Sequence, residues 1–377
     1  MHLTIRKRDL LRGLARTHSV ADRKSSMPML SNVLVSAEAN GSLRLSATDL
    51  YVGVTIRSNA EVKEPGIVAL PARTFFDIVK NLPEGEVTLS VGDQHGCEIR
   101  CGKVRFKIPG ATGEDFPTLP NPGDAPLAEV PCEILGRLIS WTQFSMSTDD
   151  TRPHLACGLF EGEGESLRVV TTDGHRLSKA EHRIEGASFD FRMLVPQKGV
   201  GELRRLIDDV KGETKGSDEG APTMSFGHAA GTAFFKKDSH LLTVQLADEQ
   251  FPPYGRVIPQ QHSRRIVVAR PALVEALRRI SLVASDKSHT VQLQFDPGLL
   301  RIQSQNSEVG EGSEELDIDY AGEPLRIGFN ARYFVEALSA LPHDEVALEL
   351  SGELDPGVIR PVGDDTNFVG VIMPMRV

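Results

Sequence analysis

The chain repeats one pattern three times, and this constrains its fold more than any single motif. Leu3-Thr4-Ile5 leads into a helical stretch at 7–17, where Leu10, Leu11 and Leu14 share a face. Ala128-Glu129-Val130 leads into 133–144, with Ile134/Leu138 and Leu135/Ile139 paired four apart. Arg265-Ile266-Val267-Val268 leads into 271–283, with Leu273, Leu277 and Ile280 on one side and Pro271 in the first turn, where its missing N–H costs nothing. The 3.6-residue spacing predicts amphipathic helices in all three. Each passage then carries a strand of similar wording, at 43–49, 167–173 and 300–306. A second strand-to-helix run follows: 68–71 into 72–82, 193–196 into 197–210, and 326–330 into 331–341, the last with Asn330 as its N-cap. Residues 86–91 and 345–350 alternate as strands.

Proline-rich stretches at 116–123 and 251–259 read as linkers. They divide the 377 residues into three parts of ordinary domain size. The period is too long for a solenoid repeat. The expected architecture is therefore α+β: three tandem homologous domains, 1–125, 126–260 and 261–377, each with two helices packed on antiparallel sheets. The Gly-, Ser- and charge-rich stretch 212–222 is expected as a mobile loop.

Net charge is −10, from 42 basic and 52 acidic residues. The six helical windows together carry +7, which leaves −17 for everything else. The expectation is of basic helix faces on an acidic body, which admits a polyanion to one surface and repels it elsewhere. A hydrophobic fraction of 40% excludes chain-wide disorder. The sequence has no apolar run of membrane-spanning length and no secretory h-region at the start, so a cytoplasmic protein with no membrane partner is expected. Cys97, Cys101, Cys132 and Cys157 are too few for a disulfide scaffold.

Signatures of common chemistry are missing. There is no phosphate-binding Gly-rich loop of either usual spacing. Gly162-Glu163-Gly164-Glu165 and Gly310-Glu311-Gly312 are acidic and read as turns. Cys97 and Cys101 lack a second ligand pair and read as strand residues, so neither a metal nor a cofactor is expected. Asp149-Asp150 and Asp364-Asp365 read as solvated loop pairs.

Two local words stand out. In Thr171-Thr172-Asp173-Gly174-His175-Arg176-Leu177, Asp173 and His175 could form an acid–base pair, but no nucleophile motif accompanies them and Asp-Gly marks a tight turn. The first passage has Ala47-Thr48-Asp49-Leu50-Tyr51-Val52-Gly53 in this place. His and Arg are thus particular to the middle passage, which favours a binding site there. The chain end, Val371-Ile372-Met373-Pro374-Met375-Arg376-Val377, stays apolar where termini are usually polar and frayed. A final core strand accounts for Val371 and Ile372, while two Met around a Pro suit an adaptable surface that grips peptides.

Three tandem repeats, Thr172 to Leu177 and the terminal Met373-Pro374-Met375-Arg376 together resemble the bacterial DNA polymerase III β subunits, the sliding clamps, over essentially the whole chain. The resemblance implies a head-to-tail homodimer whose six domains close a ring, with helices around the hole and duplex DNA threaded through it irrespective of sequence. It implies a processivity factor without catalytic residues or cofactors, which tethers the DNA-directed DNA polymerase of its holoenzyme. It implies a partner pocket of Leu155, Thr172, Gly174, His175, Arg176, Leu177, Pro252, Arg256 and Val257, completed by Asn330, Tyr333, Val371, Ile372, Met373, Pro374, Met375, Arg376 and Val377. Short motifs with Gln and Leu/Phe anchors would enter it, from the replicative polymerase α subunit, the clamp-loader δ subunit, other DNA polymerases, mismatch-repair proteins and ligase. DNA contacts are expected at Arg8, Arg12, Lys24, Arg73, Lys198, Arg204, Arg205, Arg278 and Arg279. The ring seam is expected at Phe106 of one chain against Leu282 and Val283 of the other. Position 149 is Asp where relatives often carry a DNA-touching Gln, so that contact is not carried over. A nucleoid-associated location follows. On the residues alone, a hydrolase at Asp173/His175 and a non-encircling tandem-domain scaffold stay open.

Overall fold

The computed structural model describes the chain except residues 23, 150, 214–220, 286–287, 364–366 and 377 and the side chains of 93 and 211–213. Among the described residues there are six α-helices: α1 (Lys7–Val20), α2 (Ala72–Asn81), α3 (Cys132–Ser140), α4 (Gln197–Glu213), α5 (Arg270–Ile280) and α6 (Ala331–Ala340). Each follows directly on a strand, as the spacing predicts. The helix ends move. α1 continues past 17 because Val20 still faces the core, fully buried. α3 ends before 144: Trp141 N–H still reaches back to Arg137 O at 3.0 Å, but Thr142 N–H turns to Ile139 O at 3.1 Å, and a one-turn 3-10 helix, Gln143–Ser145, follows. α5 ends before 283 in the same way, with a 3-10 turn at Ser281–Val283. Asn330 caps α6, its side-chain oxygen accepting the Arg332 N–H at 2.9 Å.

The chain forms two compact units. The first comprises Met1–Pro131, Gly201–Leu206 and Asp218–Leu246. It holds a five-stranded antiparallel sheet ending on the strand Val104–Ile108, and a nine-stranded sheet in which Val52–Asn59 pairs with His240–Gln245, Gly53 opposite Thr243. Leu10 and Leu14 of α1 and Phe75 and Val79 of α2 close over Leu3, Val35, Leu45 and Leu89 in one buried cluster. These are the i, i+4 positions of the helices and the alternate positions of the strands.

The second unit comprises Cys132–Val200, Ile207–Ser217 and Ala247–Val377. It holds an eight-stranded sheet in which Arg176–Arg183 pairs with Asn367–Ile372, Leu177 opposite Val371, and a four-stranded sheet ending on Gly310–Asp317.

Several expectations need correction. Gly310-Glu311-Gly312 is no turn; it opens a strand, with Asn306 opposite Gly310 in a ladder the local composition does not reveal. Gly162 also lies inside a strand, Cys157–Gly164, and the turn is confined to Gly164, with φ +57°, and Glu165. The strand needs glycine at 162 because a Cβ there would lie 2.3 Å from the Phe191 ring and 2.5 Å from Phe189. The stretch 251–259 is more than a linker: Phe251 is buried with Leu177, Leu194 and Val371, and Tyr254 and Ile258 pack on the same cluster. Of the stretch expected as a mobile loop, Gly212 and Glu213 belong to α4, and 214–220 lie outside the described residues. Asp150, Asp364 and Asp365 also lie outside them. Cys97 and Cys101 are buried strand residues, and burial pushes the Cys97 thiol up to about 12.

Adding one methyl at Gly162 is expected to cost about 1–3 kcal/mol, the usual price of overpacking a filled space. Gly162→Ala should therefore lower the thermal unfolding midpoint; an unchanged midpoint contradicts the packing described.

Candidate functional site

The site begins with a turn. Thr172 Oγ1 donates to Arg176 O and accepts the Gly174 N–H at 3.1 Å, while Asp173 Oδ1 accepts the N–H groups of His175 at 2.9 Å and Arg176 at 3.0 Å. Gly174 sits at φ +90°, where glycine is unstrained. The first unit builds the same turn: Thr48 Oγ1 bonds Val52 O and Leu50 N–H, both at 2.9 Å, and Asp49 Oδ1 accepts from Tyr51 and Val52. The Thr-Asp pair is thus turn chemistry. The other oxygen of Asp173 accepts from Arg176 Nε at 3.0 Å, so this carboxylate is structural, and the acid–base reading of Asp173 and His175 gains no support.

Arg176 is the centre of the site, only 9% exposed. Its guanidinium donates to Asp173, to Glu336 on α6 and to Phe144 O, and lies over the Tyr333 ring, 4.4 Å from its centroid. Burial alone would raise the Glu336 carboxyl. Hydrogen bonds from Arg332 and Arg176 outweigh that and hold it below the usual carboxylate value. The preceding loop joins the network. Arg152 Nε donates to Asp149 at 2.8 Å, and Arg152 Nη1 donates to Asp173 O at 3.2 Å. Asp149 is not a merely solvated carboxylate: the Thr151 hydroxyl, the Thr151 N–H and Arg152 lower it to about 2. Phe144, Asp149, Arg152, His175, Arg332 and Tyr333 line a cavity of about 430 Å³ here.

The chain end completes the site. Beyond the ladder that seats Ile372 opposite Arg176, Met373 N–H donates to His175 O at 2.9 Å. Pro374 has no N–H to give, and across it the chain changes partners: Met375 N–H donates to Gly328 O at 2.8 Å. Leu177 and Val371 share the buried cluster under Phe251, while Met373 and Val257 are about two-fifths exposed, at 39% and 42%. Leu155 is buried beside Gly174. The structure therefore gathers Leu155, Thr172, Gly174, His175, Arg176, Leu177, Val371, Ile372 and Met373, with Pro252, Arg256 and Val257 on the segment that follows Phe251. Asn330, Tyr333, Pro374 and Met375 enter through α6 and the Gly328 bridge. Arg376 is exposed, and Val377 lies outside the described residues.

The expected DNA-contact residues form no single picture. Arg8 and Arg12 are exposed one turn apart on α1, and Lys24 and Lys198 are exposed. Four others are held by acids: Arg73 by Asp77 at 3.3 Å, Arg205 by Glu202, Arg278 by Glu275 at 2.9 Å, and Arg279 by both oxygens of Glu314. Arg204 is half-buried. Of the expected seam residues, Phe106 is 42% and Leu282 79% exposed, and Val283 lies beside Gly312. Sequence reasoning missed Phe144, Glu336 and Tyr254. No local signal marks Glu336, which lies 160 residues from the Arg176 it meets.

Because Arg332 and Arg176 depress the Glu336 carboxyl, its stabilisation is complete above the unfolded value of about 4.3 and is lost as pH falls through the lower folded value. Glu336→Gln should lower the unfolding midpoint at neutral pH and change little at the acid end; an equal loss at both contradicts the assignment.

Comparison with known proteins gives one answer. Three family models match in tandem: the N-terminal domain of the DNA polymerase III beta subunit at 1–120, its central domain at 129–253 and its C-terminal domain at 255–376. The chain is 35% identical to the beta sliding clamp of Caulobacter vibrioides and 34% to that of Pseudomonas putida, each over the full length of both chains. The crystal structure of the DNA polymerase III subunit beta from Pseudomonas aeruginosa superposes with a TM-score of 0.93 at 32% identity, covering all of both chains. A Pseudomonas aeruginosa clamp bound to griselimycin superposes with a TM-score of 0.92, also at 32% identity and full coverage.

Proposed function

The chain belongs to the bacterial DNA polymerase III β subunit family, and we propose how its own residues carry out that family's task. It is a non-catalytic processivity clamp, a homodimeric ring of tandem domains with helices on antiparallel sheets, which encircles DNA and engages partners through their clamp-binding motif. We place the domains at 1–125, 126–260 and 261–377, a division supported by the threefold strand–helix repeat.

Two unpaired sheet edges carry the ring reading. Val104–Ile108 ends its sheet with Arg105 and Lys107 flanking the exposed Phe106. Gly310–Asp317 ends its sheet with Glu311, Glu314, Glu315 and Asp317, near the exposed Leu282. An edge guarded only against aggregation needs charge alone. Opposite charge on the two edges, each with an exposed apolar side chain nearby, suits pairing of one chain's first edge with a second chain's other edge, with Phe106 against Leu282 and Val283. Such a contact is heterologous, and two copies of it close a dimer.

Partners dock over Leu177 and Val371, with Leu155, Thr172, Gly174, His175, Arg176, Pro252, Arg256 and Val257 on one side and Asn330, Tyr333 and Met373 to Val377 on the other. The polymerase α subunit, the loader δ subunit, other polymerases, mismatch-repair proteins and ligase take turns at it. The exposed Arg8, Arg12, Lys24 and Lys198 meet phosphate, joined by Arg204 and, as phosphate displaces their carboxylates, by Arg73, Arg205, Arg278 and Arg279. The setting is the nucleoid in the cytoplasm. No helix among the described residues is long and apolar enough to cross a membrane.

Loaded on a nicked circular duplex, the protein should stay bound through gel filtration and leave once the circle is cut; equal loss from both forms contradicts encirclement. Deleting 373–377 should abolish binding of a peptide with Gln and Leu/Phe anchors while leaving the dimer mass unchanged in light scattering. Retained peptide affinity contradicts the pocket.

A further inference from the structure

We infer that Tyr254 and Glu161 are positioning residues that hold the partner pocket open, and that the first unit, which lacks this pair, has closed its equivalent site with Leu119. The inference rests on the pocket reading above and names what shapes that pocket.

The two large sheets repeat one arrangement. Both have the Thr-Asp turn with the same four hydrogen bonds. In both, the incoming strand ends on the turn: Gln245 N–H donates to Tyr51 O at 2.7 Å, as Met373 N–H does to His175 O at 2.9 Å. Gly53 lies opposite Thr243 as Leu177 lies opposite Val371. The proline segments also begin alike, Phe116-Pro117 and Phe251-Pro252, with both Phe side chains buried.

They diverge at the fourth residue, which is Leu119 in one and Tyr254 in the other. In the first unit, Leu119 rests on the bare backbone of Gly53: a Cβ there would be 2.9 Å from Leu119 Cδ2. The space above this floor position is shared by the Thr243 hydroxyl, 2.5 Å from such a Cβ, and by the chain's own aliphatic Leu119. In the second unit the floor carries a full Leu177, and Tyr254 packs against its cluster. Its ring meets Phe251 edge-on at 6.4 Å, and its hydroxyl donates to Glu161 Oε2 at 2.6 Å. Burial first, then Glu161, pushes the phenol up to about 12, so the donor keeps its proton. Ser36 holds the place of Glu161 in the first unit: it pairs with Arg44 as Glu161 pairs with Arg168. A serine is too short to reach a tether there.

The pinned tyrosine anchors a single 3-10 turn, Tyr254–Arg256. Its carbonyl accepts the Val257 N–H at 3.0 Å, and Pro253 O accepts the Arg256 N–H at 3.2 Å. Those bonds present Arg256 and Val257 on the pocket rim. Without the pin, the turn is free to settle over Leu177, as Leu119 has settled on Gly53. Leu119 also models the occupant in cis: the open site takes an aliphatic side chain of an extended peptide.

The test titrates a fluorescein-labelled synthetic pentapeptide, Gln first and Leu-Phe last, into the full-length dimer. Tyr254→Phe and Glu161→Ala should each weaken binding about 5- to 10-fold with unfolding midpoints unchanged. The double variant should be no weaker than either single one, because both remove one tether. Glu161→Gln keeps an oxygen acceptor for the phenol and should recover most of the affinity. Unchanged affinity in the single variants, multiplying losses in the double, or no recovery in Glu161→Gln overturns the inference. Failure of the unaltered protein to bind the peptide overturns the pocket reading itself.

Discussion

One strand pairing, Arg176–Arg183 with Asn367–Ile372, makes the proposed partner site possible. It brings the chain's last strand beside the turn that distinguishes the middle repeat, although the two lie far apart in sequence. Closing so long a loop costs little more than closing a short one, because the entropy grows only as the logarithm of length. Burial of Leu177, Val371 and Phe251 offsets it. The ladder also explains an apolar chain end. Met373 and Met375 are held by main-chain bonds to the Thr172–Arg176 turn and to the strand Leu325–Asn330, so residues that would fray elsewhere become a wall.

The same pairing buries Arg176 against Ile372, and a buried cation must be matched by charge and hydrogen bonds or it destabilises the fold. Asp173, Glu336, Phe144 O and the Tyr333 ring supply that match. Their convergence ties the turn, α6 and the 3-10 helix after α3 to one guanidinium. The exposed His175 and Met373 therefore sit on a rigid support, which favours binding by lowering the ordering cost paid on association.

Much of this was legible in the sequence, for a physical reason: local patterns report local structure. Leu10 and Leu14, or Leu273 and Leu277, predict a buried helical stripe, and the strand–helix order follows at all six places. Helix ends were less legible, because the N–H groups of Thr142 and Ala284 turn to carbonyls three residues back, a switch that apolar spacing does not mark. Gly310 reads as a turn until a partner strand is seen to claim it, and Gly162 until Phe191 is seen lying on it. Within the site, Thr172, Asp173 and Gly174 announce a turn from spacing alone. Glu336 and Tyr254 announce nothing, since their partners lie 160 and 93 residues away. The tandem repeat and the two distinctive words pointed to the family, but no local signal could show which side chains hold the pocket's shape.

The charge distribution favours a grip that is geometric. Surface ion pairs such as Arg73–Asp77 and Arg278–Glu275 are worth about 0–1 kcal/mol, so phosphate can replace the carboxylate with little net gain. Contacts of this kind are weak and exchangeable. Non-specific DNA binding at a Kd of about 10⁻⁴–10⁻⁶ M, with association near about 10⁸ M⁻¹s⁻¹, gives dissociation on the order of 10²–10⁴ s⁻¹. Charge alone would release the protein within milliseconds. Stronger contacts would lengthen residence but slow sliding, because each step must break them. A closed ring separates the two demands: enclosure sets how long the protein stays, and weak, exchangeable phosphate contacts set how freely it moves. That division explains why a DNA-encircling chain can carry a net charge of −10.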